Sequence, residues 1–363
     1  MPDALWRGGA PVVNPPSEEV AKDQAASHSS QKEQSGTVRV GAYTLPISEF
    51  FDAQARAAFE QWMRWNAEIA PGCPGHWTDP EVIPSYRRFL DTQWYPEPIK
   101  RSLSLYPVDI EPRVISGVPT EVFSPMTGVS EQHRDRLLIN LHGGGFCVGA
   151  RYGGQIESIP VSAIGRITVV SVDYRMAPEY EFPAATEDVI AVYQELLKAY
   201  DPQCIGIFGC SAGALLTAQV VARLHRAGVR LPGAIGMFCC SGSYWGRGDS
   251  AHLGTVLAGE PLKAVDEIPY FKHVKADDPM AFPAGDSKVL SQFPPSMLVS
   301  ATRDFVLSSV VDMHSRLAML GVRADLHVWE GLGHSFFYDP DLPQSREVHV
   351  LTTKFFERHL GQR

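Results

Sequence analysis

At 363 residues, 44% hydrophobic and 20% charged, the chain can bury one large core and carry an appendage, and its composition excludes fibrous and disordered classes. A formal net charge of −9 excludes nucleic acid and anionic membrane surfaces as natural partners. No apolar run approaches the ~20 residues that a membrane-spanning helix needs, and the N-terminus has no apolar leader core.

The cysteines, Cys73, Cys147, Cys204, Cys210, Cys239 and Cys240, show neither CxxC pairs nor zinc spacing. All read as reduced thiols, which suits a soluble protein of the cytoplasm. On a strand, the adjacent Cys239 and Cys240 would point to opposite faces.

Residues 1–40, rich in Pro, Ser, Gln, Glu and Lys, read as a mobile tail. From Ile47 to Ala70 the pattern is helical, with Phe51, Ala55, Ala58, Phe59, Trp62, Met63 and Ile69 on one stripe and Asp52, Arg56, Glu60 and Arg64 opposite. Pro71-Gly72-Cys73-Pro74-Gly75 ends it, and a second short helix follows around Ser85 to Leu90. Lying before the first strand, these helices (41–102) are expected to form a cap.

Two edge strands are expected within 103–125, then a buried strand from Arg136 to His142 and a helix near Gly154 to Ile164. The strand Thr168 to Asp173 and a helix from Pro183 to about Ala199 come next. Cys204 to Phe208 reads as a buried strand, and helical periodicity resumes at Ala212. Later strands are Ala234 to Cys239, Ser296 to Ala301 and Ala324 to Trp329, with a last helix from Ser345 to Leu360. Strands alternating with helices at this spacing mean βαβ units: an α/β fold with a mostly parallel central sheet. Residues 103–241 and 291–363 form its core. Residues 242–290, with Trp245, Tyr270 and Phe271 among many Gly, Asp and Pro, break the rhythm and read as a second piece of the cap.

The chemistry centres on Gly209-Cys210-Ser211-Ala212-Gly213, set between a strand and a helix. That context makes Gly-x-Ser-x-Gly a strained turn that lifts one serine hydroxyl above the sheet. Serine needs a base, and the base needs an orienting acid. His334 lies just past the strand ending at Trp329, where catalytic groups of open parallel sheets gather. His314 and His349 fall mid-helix. Asp304 follows the strand Ser296 to Ala301, whereas Asp277 and Asp278 fall in the insertion and Asp312 in a helix. An oxyanion needs preorganised N–H donors. The residue after the nucleophile, Ala212, supplies one, and the loop His142-Gly143-Gly144-Gly145-Phe146 is expected to supply the others from Gly143, Gly144 and Gly145.

Taken with Asp173-Tyr174-Arg175-Met176-Ala177-Pro178-Glu179, these motifs resemble those of the bacterial hormone-sensitive-lipase-like esterases, family IV of the α/β-hydrolase fold. The resemblance covers roughly residues 46 to 360. It implies a carboxylic-ester hydrolase that acts through an acyl-enzyme without cofactor or metal. It carries the nucleophile onto Ser211, the acid onto Asp304 and the base onto His334, with His142 and the 173–179 motif as scaffold. Cys210 departs from the Asp or Thr most common in the family; Phe305-Val306, Ser308 and Ala214 also depart from its pattern. The expected partner is a small-molecule ester of short to medium acyl length. An amidase, lactonase or carbamate hydrolase on the same triad, a non-catalytic binding module on the same scaffold, and homodimer assembly are left open. The pocket is expected to draw on Phe51, Phe59, Trp62, Phe146 and Trp245.

Overall fold

The structure, a computed structural model, describes residues 44–258 and 263–361, together with a two-residue antiparallel pairing of Gln31–Lys32 with Val38–Arg39. The expected tail over 1–40 lies otherwise outside the described residues. Residues 1–47 form one unit and residues 48–363 another, to which everything below refers.

Eight strands make one sheet: β1 (Val108–Ile115), β2 (Val118–Pro125), β3 (Leu137–Leu141), β4 (Thr168–Val172), β5 (Ile205–Cys210), β6 (Ala234–Phe238), β7 (Ser296–Ala301) and β8 (Ala324–Trp329). Their spatial order is β8-β7-β6-β5-β3-β4-β2-β1. The β1–β2 hairpin and the β2–β4 pair are antiparallel, and every other pair is parallel. Strands β3, β5, β6 and β7 are buried along their full length. Sandwiched by helices, they need apolar side chains on both faces, hence their unbroken hydrophobic runs. The sheet reverses direction of growth at β3 and β5, and the crevice above such a switch point is where ligands bind.

The longer helices are α1 (Ala53–Ile69), α2 (Ile83–Phe89), α3 (Pro96–Leu105), α4 (Tyr152–Gly165), α5 (Ala184–Leu196), α6 (Ala212–Arg226), α7 (Ser250–Ala258), α8 (Leu307–Met319) and α9 (Pro343–His359). Among the described residues none is long and apolar enough to cross a membrane.

Helix α1 begins six residues later than its apolar stripe predicts, because the Asp52 carboxylate caps it by accepting from Ala55 N–H at 2.8 Å. Met63, on that stripe, is exposed. Between α2 and α3 the backbone widens into one π turn, Leu90–Trp94, in which Tyr95 N–H reaches Leu90 O five residues back at 2.8 Å. Strand β6 stops at Phe238, and Cys239 follows with φ +49°, so the two adjacent cysteines do not alternate across a strand. All six cysteines are free.

Candidate active site

Ser211 stands between β5 and α6 with φ 55° and ψ −117°, a conformation costly for any residue with a Cβ. Two features hold it there. Its N–H donates to Phe238 O at 2.7 Å. Behind it, a Cβ on Gly213 would lie 1.7 Å from Leu141 O, so only glycine lets α6 pack this close to β3.

His334, in the loop after β8, places Nε2 2.9 Å from Ser211 Oγ and Nδ1 2.9 Å from Asp304 Oδ1. A carboxylate only accepts, so Nδ1 carries the proton and Nε2 is left to receive one from the serine. Phe305 stacks on the imidazole at 4.4 Å between centroids. Asp304, after β7, is buried; its Oδ1 also accepts from Val306 N–H at 3.1 Å and its Oδ2 from Ser300 Oγ at 2.9 Å. Burial alone would raise the Asp304 carboxyl, but the charge and hydrogen bond of His334 and these two donors prevail, and its pKa falls below the ordinary value.

The other candidates lie elsewhere. Asp312 pairs with Arg316 at 2.9 Å, Asp278 accepts from Met280 N–H at 2.8 Å, and His314 sits 3.2 Å from Ala324 O. Asp277 lines a separate cavity. His349 is buried in α9, where desolvation holds its pKa down at about 3.

Of the four expected oxyanion donors, Gly144, Gly145 and Ala212 share the cavity wall with Ser211. Gly143 does not: its N–H donates to Glu157 Oε1 at 2.9 Å and is spent. Gly144 has φ +115°, and a Cβ there would meet Val148 O at 2.2 Å, so this turn admits only glycine.

Beneath the loop, the His142 ring stacks flat on Tyr174 at 4.2 Å, and its Nδ1 lies 2.7 Å from Gly143 O. Burial drives its pKa down to about 4, so the ring is neutral and Nδ1–H donates to that carbonyl. The 173–179 motif braces this arrangement. Asp173 accepts from Arg151 N–H at 2.6 Å, Tyr174 Oη donates to His142 O at 2.7 Å, and Arg175 pairs with Asp188 at 2.8 Å. Arg87 of α2 reaches across from the other side. Its Nε donates to Cys147 O at 2.7 Å, and its two terminal nitrogens hold the Glu179 carboxylate at 2.7 and 2.9 Å.

Ser211 and His334 open onto a cavity of about 620 Å³. Its lining includes Trp77, Tyr86, Phe89, Leu90, Trp94, Tyr95 and Tyr338, and also Phe146, Leu215, Trp245, Ile268 and Phe271. Asn66 also faces it, but its amide is engaged: Nδ2 donates to Trp62 O at 2.9 Å and Oδ1 accepts from Trp94 Nε1 at 3.0 Å. Phe146 and Trp245 are thus on the lining. Phe51, Phe59 and Trp62 are not on the lining. Phe51 and Phe59 pack edge-on against each other at 5.6 Å, and Trp62 is held among Trp65 and Trp94. The stripe of α1 faces its neighbours rather than the cleft; only its last turn, Asn66 and Ile69, reaches the cavity.

The Cys210 thiol is buried, with Sγ 3.0 Å from Ser335 Oγ on the histidine loop. Among the described residues, one set of metal-type donors converges: Cys239, Asp304 and His334, within 4.8 Å of one another. Two of them, Asp304 and His334, are bound to each other, and burial raises the Cys239 thiol well above its usual range.

Several buried groups have displaced pKa values, and burial is the main cause in each. Glu157 and Asp339 are pushed up to about 7 and Asp173 to about 6, while His142 and His349 are pushed down to about 4 and about 3. The carboxyls favour the fold while protonated, an advantage complete below their ordinary values of 4.5 and 3.8 and lost as pH rises through 6 to 7. The imidazoles favour it while neutral, an advantage complete above 6.5 and lost as pH falls toward 4 and 3. Above about pH 6.5 the imidazoles are neutral in both folded and unfolded chains and only the carboxyls still titrate, so the melting temperature is expected to fall as pH rises from about 6.5 to 7.5. Differential scanning fluorimetry from about pH 4 to 8 measures this, and a steady climb to the alkaline end would contradict it.

A family model described as alpha/beta hydrolase fold matches residues 138–338. An acetyl-hydrolase of Streptomyces hygroscopicus is 26% identical over 236 residues, covering 62% of this chain and 77% of that protein. Two other curated relatives, each aligned over 126 residues, are spanned over only 40% and 31% of their own length. Among solved structures, an esterase E25 superposes with a TM-score of 0.75 at 28% identity, covering 89% of this chain and 99% of that one. An esterase from the bacterial hormone-sensitive lipase family shares the fold, with a TM-score of 0.72 at 23% identity over 84% of this chain and 99% of its own. The chain belongs to the alpha/beta hydrolase fold family, among relatives that bear the names of esterases and acetyl-hydrolases.

Proposed function

We propose that the protein is a serine carboxylic-ester hydrolase acting on short to medium acyl esters with apolar groups. The observation that carries this reading is the relay from Ser211 Oγ to His334 Nε2 and from Nδ1 to Asp304, each 2.9 Å long, at the wall of an aromatic cavity. In this reading Ser211 Oγ attacks the ester carbonyl carbon while its proton passes to His334 Nε2. The oxyanion is met by the N–H groups of Gly144, Gly145 and Ala212. The carbon–oxygen bond to the alcohol breaks, and Nε2 returns the proton to the departing oxygen. Water then attacks the acyl-serine, with His334 taking its proton and handing it back to Ser211 as the acid leaves.

The helices within 41–102 and the segment 242–290 serve as a cap, since they supply most of the cavity's aromatic wall. With the Asn66 amide already engaged, the wall favours neutral, apolar acyl and alcohol groups. A complete relay argues against a non-catalytic binding module.

The test is to trap the acyl-enzyme. A fluorophosphonate should add to the peptide containing Ser211, and p-nitrophenyl esters should give a burst of p-nitrophenol before steady turnover. A parallel panel of acyl lengths and matched amides should favour the shorter esters. Labelling elsewhere, or a preference for amides or long chains, would overturn the corresponding part of the reading.

A further inference from the structure

Helix α4 is buried from Gly153 to Ser162, and one carboxylic acid lies inside that stretch. Glu157 is 3% exposed. Its Oε1 accepts from Gly143 N–H at 2.9 Å and from the Tyr338 hydroxyl, and its Oε2 accepts from Asn140 Nδ2 at 2.8 Å. The three donors belong to the glycine loop, the segment that carries His334, and the end of β3. Asn140 is locked in turn by Ser171 Oγ, 3.0 Å from its Oδ1.

A buried acid without an opposing cation is costly unless its hydrogen bonds compensate. The ionisable groups that act on Glu157 or feel its charge are Tyr95, Tyr174 and Tyr338, phenols whose own pKa values are raised by burial. His142 nearby is neutral. The carboxyl is thus held by hydrogen-bond donors alone, these three and the backbone of Cys210, and burial pushes its pKa up to about 7.

The geometry says what these bonds fix. Both peptide groups flanking Gly143 are tied: the N–H by Glu157, and the carbonyl by His142 Nδ1 at 2.7 Å. In a trans peptide the N–H of the next residue points opposite to the carbonyl. Holding Gly143 O against His142 therefore sets the direction of Gly144 N–H. Tyr338 carries the same anchor to the loop that aims the imidazole.

We propose that Glu157 is a positioning residue for ester hydrolysis, its carboxyl joining the Gly143–Gly145 loop to the His334–Tyr338 segment so that oxyanion donors and imidazole address one carbonyl carbon. This rests on the serine-hydrolase reading above.

The test compares Glu157→Gln, Tyr338→Phe and the double variant with the wild type on p-nitrophenyl butyrate. Wild-type turnover that disappears in Ser211→Ala establishes the baseline; its absence would count against the hydrolase reading itself. Against that baseline, Glu157→Gln should lower kcat about 10- to 100-fold with KM within about threefold, because the misplaced donors are needed only in the transition state. Affinity for benzeneboronic acid, which mimics the tetrahedral state on Ser211, should fall by the same factor as kcat/KM. Tyr338→Phe should lose about tenfold, and the double variant should be no worse than Glu157→Gln alone, since both sever one tie. A folded Glu157→Gln with kcat within about twofold of wild type overturns the assignment, as does a loss carried in KM with boronate affinity unchanged. If Glu157→Gln does not fold, unaltered kcat in Tyr338→Phe overturns it.

Discussion

Ser211→Ala is expected to cut kcat on a p-nitrophenyl ester about 10⁶-fold while leaving the melting temperature within a few degrees of wild type. The substitution removes one atom, Oγ, whose partner is His334 Nε2. It keeps the Cβ that the strained backbone already accommodates, and it keeps the N–H bond to Phe238 O that anchors the turn. What remains is an imidazole without a nucleophile to deprotonate, and whatever acceleration the N–H donors supply to attack by water, roughly 10³-fold over solution. Steady-state assay with a p-nitrophenyl ester, alongside a thermal melt, reads both halves. Retention of more than about a hundredth of the wild-type rate by a folded protein would mean that the chemistry lies elsewhere.

Asp304→Asn should cost about 10⁴-fold in kcat with KM little changed. An amide with its oxygen at the Oδ2 position still accepts from Ser300 Oγ, whereas Val306 N–H loses the acceptor it shares with His334 at Oδ1. Toward His334 the amide can turn its NH₂ group, which would draw the imidazole into the tautomer with the proton on Nε2. That nitrogen would then have no lone pair for the serine proton. The loss of a buried negative charge also removes the stabilisation of the imidazolium formed in each step. Asp312→Asn is the matched control. Its carboxylate, on α8, serves Arg316 of the same helix and Ser243 in the segment after β6, and kcat should stay within about twofold of wild type. Equal losses in the two variants would point to general destabilisation and against an orienting role for Asp304.

Much of this machinery could be read from residue order because of where it sits. Strands β3, β5 and β6 are apolar runs that need no partner to be recognised, and Ser211, Asp304 and His334 each follow a strand, where the chain must turn. Gly143 N–H is claimed by Glu157, an acid fourteen residues later on a helix packed behind the loop, and no spacing rule pairs the two. A faint signal was present, since Glu157 is the one acid in a run of apolar, small and amide residues with no polar face around it. Phe51, Phe59 and Trp62 show a different limit. Periodicity identifies an apolar stripe on α1 but not what it packs against, and Ala55 is the one fully buried residue of that helix. The π turn at Leu90–Trp94 alters the phase of the chain entering α3 and brings Leu90 and Trp94 to the cavity, and the helical repeat assumed from sequence cannot represent it.

Arg87 bears on how such a protein could be recombined. It leaves helix α2 to bind the backbone of Cys147, beside the glycine loop, and the side chain of Glu179, at the end of the motif beneath it. A chimaera that exchanged residues 41–102 with those of a relative would cut through that clamp and leave Glu179 without its guanidinium. The portable module is therefore not the stretch between two loops but that stretch together with its matching residue at 179. Libraries that shuffle the front of the molecule while holding the rear constant should recover activity chiefly where an arginine at 87 and an acid at 179 travel as a pair.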